Sequence, residues 1–160
     1  MSSRTRLAND AWEGLLSAHA RLMKQFAAED IWQDLSMREY DVLYTLSKRR
    51  KPVRMGELHR HVLLSQPALS RMVDRLVERG LIARCPDPAD GRGVRLSLTD
   101  TGWETQRQIG RRHARSVARA VTAELDPDEL RQLAVICWKL AGRPAATDTS
   151  TRNRKELVHT

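Results

Sequence analysis

Cysteine is scarce in this sequence of 160 residues, which contains only Cys85 and Cys137. Two thiols cannot build the disulfide framework of a small secreted protein. The two positions also lie far outside the C-x-x-C spacing that is typical of a zinc site or a redox pair. We therefore interpret both residues as small buried hydrophobic side chains.

Long apolar runs are absent as well. No stretch approaches the roughly 20 apolar residues that a membrane-spanning helix needs. The opening residues, MSSRTRLAND, lack the apolar core of a signal peptide. These two absences predict a soluble, cytoplasmic protein with no membrane partner.

The sequence also lacks the common signatures of catalysis. It contains no nucleophile elbow, no glycine-rich phosphate loop and no metal-ligand spacing. His59 and His61 stand two residues apart, which on a helix points their side chains in different directions. We therefore predict that the protein is not an enzyme and that it holds no cofactor and no metal.

Basic residues, in contrast, are abundant and unevenly placed. The formal net charge is +8 and the isoelectric point is near 10.3. Residues 36–98 contain thirteen Lys and Arg residues against seven Asp and Glu residues, so this segment carries +6 of the +8. Such a concentration favours a polyanionic partner.

Hydrophobic periodicity predicts three long helices outside this basic segment. Apolar residues recur at spacings of three and four along residues 7–26, which indicates a helix with one apolar face. Residues 100–124 and 126–142 repeat the pattern, and Pro127 stands in the first turn of the last helix. From residue 143 to 160 the chain is polar and has no periodicity, so we expect a disordered tail.

The basic segment itself predicts a helix–turn–helix. A capping box from Ser36 to Glu39 opens a helix that ends ahead of Pro52. A short helix over about 55–61 leads into a longer one over 65–79, and Ser65 is a suitable N-cap for that helix. Helices of these lengths joined by tight turns are typical of DNA-binding units.

Two short strands, 81–85 and 94–98, follow the second helix, with the loop PDPADGRG between them. We expect an extended hairpin tip here, because the loop is too long and too rich in proline for a tight two-residue turn. Helices followed by such a hairpin describe a winged helix–turn–helix. The predicted fold class is therefore mainly α with a small β-hairpin wing.

A winged helix–turn–helix reads DNA with the second helix in the major groove. Gln66 can pair with adenine, Pro67 can contact a thymine methyl group, and Arg92 at the tip of the wing can enter an A/T-rich minor groove. We predict that Asp90 holds the Arg92 guanidinium in place, and that His59 and His61 help to shape the DNA face. The complete predicted set of DNA contacts is Arg54, Ser65, Gln66, Pro67, Ser70, Arg71, Arg75, Asp90, Arg92 and Arg95.

The same segment resembles the MarR family of bacterial transcription regulators. LSQPALSRMVDRLVERGLIAR is similar to the family's recognition helix and first wing strand, and DPADGRGVRLSLTDTG is similar to its wing signature, D-P-x-D-x-R followed by L-T-x-x-G. With SMREYDVLYTL, the resemblance covers residues 36–102. One departure is Gly91, where the family often has a second arginine, so one backbone contact of the wing is in doubt.

The resemblance implies a homodimer in which the first helix and the last two helices of each chain intertwine. It assigns residues 5–35 and 99–142 to dimerisation and residues 36–98 to DNA binding, and it implies a palindromic operator. Many such proteins are repressors that an aromatic or phenolic compound releases. The residues that could line an effector pocket are Trp12, His19, Trp32 and Tyr44, although packing in the core is a competing interpretation for them.

A different class of protein stays open at this point. Winged helices also serve as docking units for other proteins, without sequence-specific binding to DNA. That alternative does not require polar and basic residues on both the helix and the wing tip. Since both surfaces carry such residues here, we favour the regulator.

Overall fold

The computed structural model describes residues 2–49 and 51–142, with the backbone alone at positions 91 and 92. The predicted tail, 143–160, lies outside the described residues. The fold class is confirmed, because the described chain is mainly helical and carries one small antiparallel sheet. In chain order the elements are α1 (Ser3–Ala27), α2 (Met37–Ser47), β1 (Val53–Arg54), α3 (Met55–His59), α4 (Gln66–Glu78), β2 (Ile82–Asp87), β3 (Asp90–Leu98), α5 (Asp100–Thr122) and α6 (Pro127–Leu140).

The chain divides into two compact units, Met1–Val117 and Ala118–Thr160. The first unit contains α1 to α4, the sheet and most of α5, whereas the second contains the last turn of α5 and α6. Among the described residues of either unit, no helix is both long and apolar enough to cross a lipid bilayer.

The core of the first unit fixes one face of α4. Leu69, Val73 and Leu76 on this helix are fully buried, each with an exposed fraction of 0%. Burial of a leucine or valine side chain contributes about 1.5–3 kcal/mol. The helix is therefore held firmly by one side, and its opposite side faces solvent.

The two ends of α4 are defined by local signals that the sequence contains. Ser65 caps the helix, and Pro67 occupies the first turn, where a missing amide proton breaks no bond within the helix. Gly80 follows the last turn with a φ of +68°, which suits glycine. The amides of Gly80 and Leu81 donate back to the carbonyls of Val77 and Leu76, and these two bonds form a Schellman motif.

The sheet has three strands in the order β1-β3-β2, all antiparallel. The sequence predicted only two strands, and the third, β1, pairs Val53 with Leu96. The prediction missed it because a strand of two residues is too short to show the alternation of apolar and polar residues.

The prediction of an extended hairpin tip is also wrong. β2 continues to Asp87, and the turn contains only Pro88 and Ala89 before β3 begins at Asp90. The carboxylate of Asp87 accepts a hydrogen bond from the amide of Ala89 at 3.0 Å, which forms an Asx turn. Pro86 is tolerated inside β2 because this strand lies at an edge of the sheet. We call β2, β3 and this turn the wing.

The L-T-x-x-G motif joins the wing to α5. The Thr99 hydroxyl donates to the carbonyl of Gly80 at 2.7 Å and accepts from the amide of Gly102 at 3.0 Å, so Thr99 is the N-cap of α5. Gly102 packs directly against the backbone of Leu81, with no space for a Cβ atom. The helix can approach the strand this closely only with glycine at position 102.

Candidate nucleic-acid interface

The amino-terminal end of α4 presents polar side chains to solvent. The Ser65 hydroxyl accepts a hydrogen bond from the amide of Ala68 at 3.4 Å, and the next residues, Gln66 and Pro67, are exposed. Unpaired amides and the positive end of the helix dipole lie at this end, so it attracts phosphate oxygens. The structure thus brings three predicted contacts to one end of one helix.

Two further predicted contacts continue along α4. Ser70 is half-buried and Arg71 is exposed, and they stand four residues after Gln66 and Pro67, respectively. Residues four positions apart lie on the same side of a helix. Since the major groove of B-DNA admits an α-helix, these side chains can reach base edges together.

Arg75, the last predicted contact on α4, is directed toward α2. Its Nε lies 3.7 Å from Oε1 of Glu39. The other oxygen of this carboxylate accepts from the amide of Ser36 at 2.8 Å, within the predicted capping box. The Arg75 side chain is 55% exposed, so the ion pair is a weak one. Contact between Arg75 and DNA stays a prediction, in which DNA must compete with Glu39.

A buried carboxylate organises the base of the wing. Asp87 is 3% exposed, and its two oxygens meet two arginines. Oδ2 accepts from Nε of Arg54 at 2.5 Å, and Oδ1 lies 3.0 Å from Nη2 of Arg95. Arg54 and Arg95, both predicted to contact DNA, thus form ion pairs with a carboxylate of the protein itself.

These contacts keep Asp87 ionised. Hydrogen bonds from Arg95, the Ala89 amide and Arg54 hold the pKa of Asp87 well below its usual range, although burial acts in the opposite direction. The bond to Asp87 also raises the pKa of Arg95. Because Arg54 lies on β1 and Arg95 on β3, this charged cluster connects all three strands.

The predicted partner of the wing arginine lies beside a different arginine. Oδ2 of Asp90 is 3.9 Å from Nη2 of Arg54, at the edge of the Asp87 cluster. The Arg92 side chain lies outside the described residues, so its contacts with Asp90 and with DNA stay predictions. Its backbone belongs to β3, shortly after the turn of the wing.

Sequence reasoning missed Asp87 as the organising residue. The available signal was the order Asp87-Pro88, because aspartate before such a turn accepts hydrogen bonds from the backbone two residues on. It also missed the ion pair between Arg84 of β2 and Asp74 of α4, which joins the wing to the helix. No local pattern marks that second pair.

A groove of about 970 Å³ opens beside the helix–turn–helix. His19, Trp32 and Tyr44, three of the four residues predicted to bind an effector, line this groove. Trp12 is not among the lining residues, and its side chain is 57% exposed. Trp32 also packs in the core, because it is 5% exposed and its Nε1 donates to the carbonyl of Phe26 at 2.8 Å.

The groove combines apolar walls with a few charged side chains. Trp32 and Leu35 supply apolar surface, whereas Lys24, Arg38 and Asp41 bring charge. Desolvation raises the pKa of the Asp41 carboxyl. Binding sites for small organic molecules commonly have this composition. The turn before α4, residues 61–64, forms one side of the groove.

The fold and the exposed end of α4 define a winged helix–turn–helix protein. The family model described as MarR family matches residues 33–93. YkoM of Bacillus subtilis, an uncharacterised HTH-type transcriptional regulator, is 35% identical over 99 residues, which cover 62% of this chain and 61% of YkoM. The central segment of the chain is thus similar to regulators of the MarR family. YkoM is named as a transcriptional regulator, which agrees with the prediction that the protein is not an enzyme.

Two solved structures from Streptomyces coelicolor share the fold. Sco3205, a MarR family transcriptional regulator in complex with DNA, has a TM-score of 0.72 and 26% identity over 88% of each chain. PcaV, a transcriptional regulator in complex with its natural ligand, has a TM-score of 0.62 and 27% identity over 82% of this chain and 89% of PcaV. The chain spans about three fifths of the length of the first curated relatives that it matches.

Proposed function

We propose that this chain is a homodimeric regulator of transcription that binds a palindromic operator in double-stranded DNA. In this proposal α4 lies in the major groove and the wing lies in the minor groove. The exposed end of α4 carries the proposal, because Ser65, Gln66 and Arg71 stand on a helix whose opposite face is locked in the core. Side chains that read bases need such rigid support. The likeness to the DNA-bound Sco3205 is a second support.

A second copy of this chain is the proposed protein partner. Of the 25 residues of α1 only Phe26 is buried, and of the 14 residues of α6 none is buried. Both helices nevertheless carry large apolar side chains, which a second copy can cover. In the resulting dimer the two α4 helices are related by a two-fold axis. The half-sites would then lie one helical turn apart, on the order of 34–36 Å.

The wing is proposed to add a contact in the minor groove through Arg92. The charged cluster around Asp87 supports this role, because it holds β1, β2 and β3 together at the base of the wing. An arginine on a rigid ribbon can enter a narrow A/T-rich minor groove, where the negative potential is enhanced.

The groove is the proposed site of a small aromatic or phenolic effector, and the protein is then a ligand-responsive repressor. His19, Trp32 and Tyr44 line the groove, and Lys24 and Arg38 can pair with an acidic group on the compound. The ligand-bound PcaV, which has the same fold, supports this role. Such a compound releases DNA only if its affinity for the DNA-free arrangement of the dimer exceeds its affinity for the DNA-bound arrangement.

Selection of bound fragments from a genomic DNA pool tests the proposal. We expect the selected fragments to share a palindrome and the affinity to fall steeply with salt, because many phosphates are contacted. Gln66→Ala should then lower the discrimination between the selected and a scrambled duplex by roughly 1–3 kcal/mol per half-site.

Gln25→Ala is the control, since it removes the same side chain from an exposed position of α1. It should leave the discrimination between the two duplexes unchanged. If the wild-type protein binds the selected and scrambled duplexes equally, the proposed sequence-specific regulator is ruled out. Equal weakening of both duplexes by Gln66→Ala would show that this side chain reads no base.

A further inference from the structure

His59 makes a hydrogen bond across the turn of the helix–turn–helix. It is the last residue of α3, and its Nε2 donates to the carbonyl of Leu64 at 2.9 Å. The bond spans five residues of chain and is partly buried. It therefore connects the two ends of the turn between α3 and α4.

The accepting carbonyl stands immediately before the N-cap of α4. Its peptide plane is shared with the amide of Ser65, so its orientation affects the backbone dihedrals with which the helix starts. Ser65, Gln66 and Pro67 come directly after this peptide, and they are proposed to touch DNA. A rotation here would move all three relative to the core that holds Leu69 and Val73.

The centre of the turn is loosely packed. Leu63, at its centre, is 97% exposed and adds little packing. The amide of His61 donates to the carbonyl of Leu58 at 3.0 Å, which ends α3 but does not reach the start of α4. Among the described residues, the bond from His59 joins the end of α3 directly to the residue before the N-cap of α4.

We propose that His59 is a positioning residue for base recognition: it sets the orientation of the first turn of α4 and so determines how sharply the protein distinguishes its operator from other DNA. This inference rests on the proposed function. His59 itself need not touch DNA, since it acts through the peptide that precedes Ser65. Phosphate contacts tolerate small displacements, whereas bidentate contacts to bases do not.

Two amide variants test the inference. His59→Gln keeps a donor at nearly the reach of the imidazole Nε2, whereas His59→Asn carries the same amide one methylene closer to the backbone. We expect His59→Gln to retain the discrimination between a selected duplex and a scrambled duplex of equal length. We expect His59→Asn to lower it about three- to tenfold, with affinity for the scrambled duplex unchanged.

His59→Gln is the matched control for His59→Asn, because the two variants carry the same amide and differ only by one methylene in its reach. It should retain full discrimination. Thermal unfolding of each variant separates positioning from folding. If His59→Asn binds both duplexes like the wild type, or weakens both equally, the inference is overturned. If the wild type does not discriminate at all, the proposed function fails before His59 is in question.

Discussion

The winged segment and the long terminal helices differ in how completely they are packed. In the winged segment, α4 alone buries four residues. At the base of the wing, Arg54 and Arg95 form ion pairs with the buried Asp87. α1 is almost twice as long as α4 and buries only Phe26, and α6 buries nothing. The first region buries its apolar side chains and pairs its charges within one chain, whereas the second leaves its apolar surface uncovered.

This difference separates two sources of stability. A packed core with paired polar groups is a property of the folded chain itself. An exposed apolar helix face becomes stable only when something covers it, so its stability depends on protein concentration. The effects of substitutions in the two regions should therefore differ in their dependence on protein concentration. The largest effect is expected where the packing is tightest.

Gly102→Ala should have the largest effect. A methyl group at this position would overlap the carbonyl oxygen of Leu81, which is backbone and cannot move aside. We expect a loss of about 3 kcal/mol in the free energy of unfolding, at the upper end of the range for overpacked sites. Chemical denaturation measures this loss, which should not vary with protein concentration. A loss that disappears at high concentration would place Gly102 in an interface instead.

Ile136→Asp should have the second-largest effect, and it lies in the terminal helices rather than in the winged segment. Leu133, Ile136 and Leu140 recur on one side of α6 and are 39%, 54% and 71% exposed. In a dimer that covers this side, a carboxylate would be buried without a partner. We expect the dissociation constant of the dimer to rise about hundredfold, which corresponds to roughly 2.7 kcal/mol.

Sedimentation over a range of concentrations measures this change. Lys139→Asp is the control, since it introduces the same carboxylate at a position of α6 that is already charged, and it should shift the constant less. Equal behaviour of the two variants would show that the apolar side of α6 is not the dimer contact. A wild-type protein that is monomeric at every concentration would contradict the proposed homodimer.

The parts of the winged segment differ in how well the sequence predicts them. The boundaries of α4 were predicted as 65–79 and are Gln66–Glu78, because caps and periodicity are local signals. The charged cluster of the wing was missed, since Arg54 and Asp87 are 33 positions apart in the chain. The same reasoning failed at the turn of the wing, where an edge position makes Pro86 acceptable inside a strand. Pairing between distant residues decides these features, and no local pattern contains it.

His113 provides a smaller, pH-dependent effect at a point where α1, α2 and α5 meet. Its ring centroid lies 5.2 Å from that of Phe26, 5.0 Å from that of Trp32 and 5.9 Å from that of Tyr40. Its buried Nδ1 has no hydrogen-bond partner among the described residues. Burial lowers the pKa of His113, and the nearby Glu29 opposes this shift only in part. The neutral ring is therefore the form that the folded protein favours.

The sign of the pH effect follows from that lowered pKa. The unfolded chain binds a proton near the ordinary value of about 6.5, whereas the folded chain binds it only at lower pH. The contribution to stability is complete above about pH 6.5 and is lost as the pH falls through the folded pKa. We expect the melting temperature to drop between about pH 8 and pH 5. His113→Phe keeps a ring in the cluster and should reduce this drop, while an unchanged drop would exclude His113 as its source.

Gly14→Ala should have the smallest effect and the opposite sign. Gly14 lies inside α1, and a methyl group there meets no atom of the described residues within 4 Å. Alanine is favoured over glycine in a helix interior by about 0.5–1 kcal/mol, so the variant should be more stable by that amount. If the melting temperature rises while the dimer dissociation constant stays the same, this turn of α1 is open in the dimer as well. If the dimer weakens instead, a partner helix must pack within reach of position 14, and the uncovered surface of α1 would then be assigned to the interface at the level of one residue.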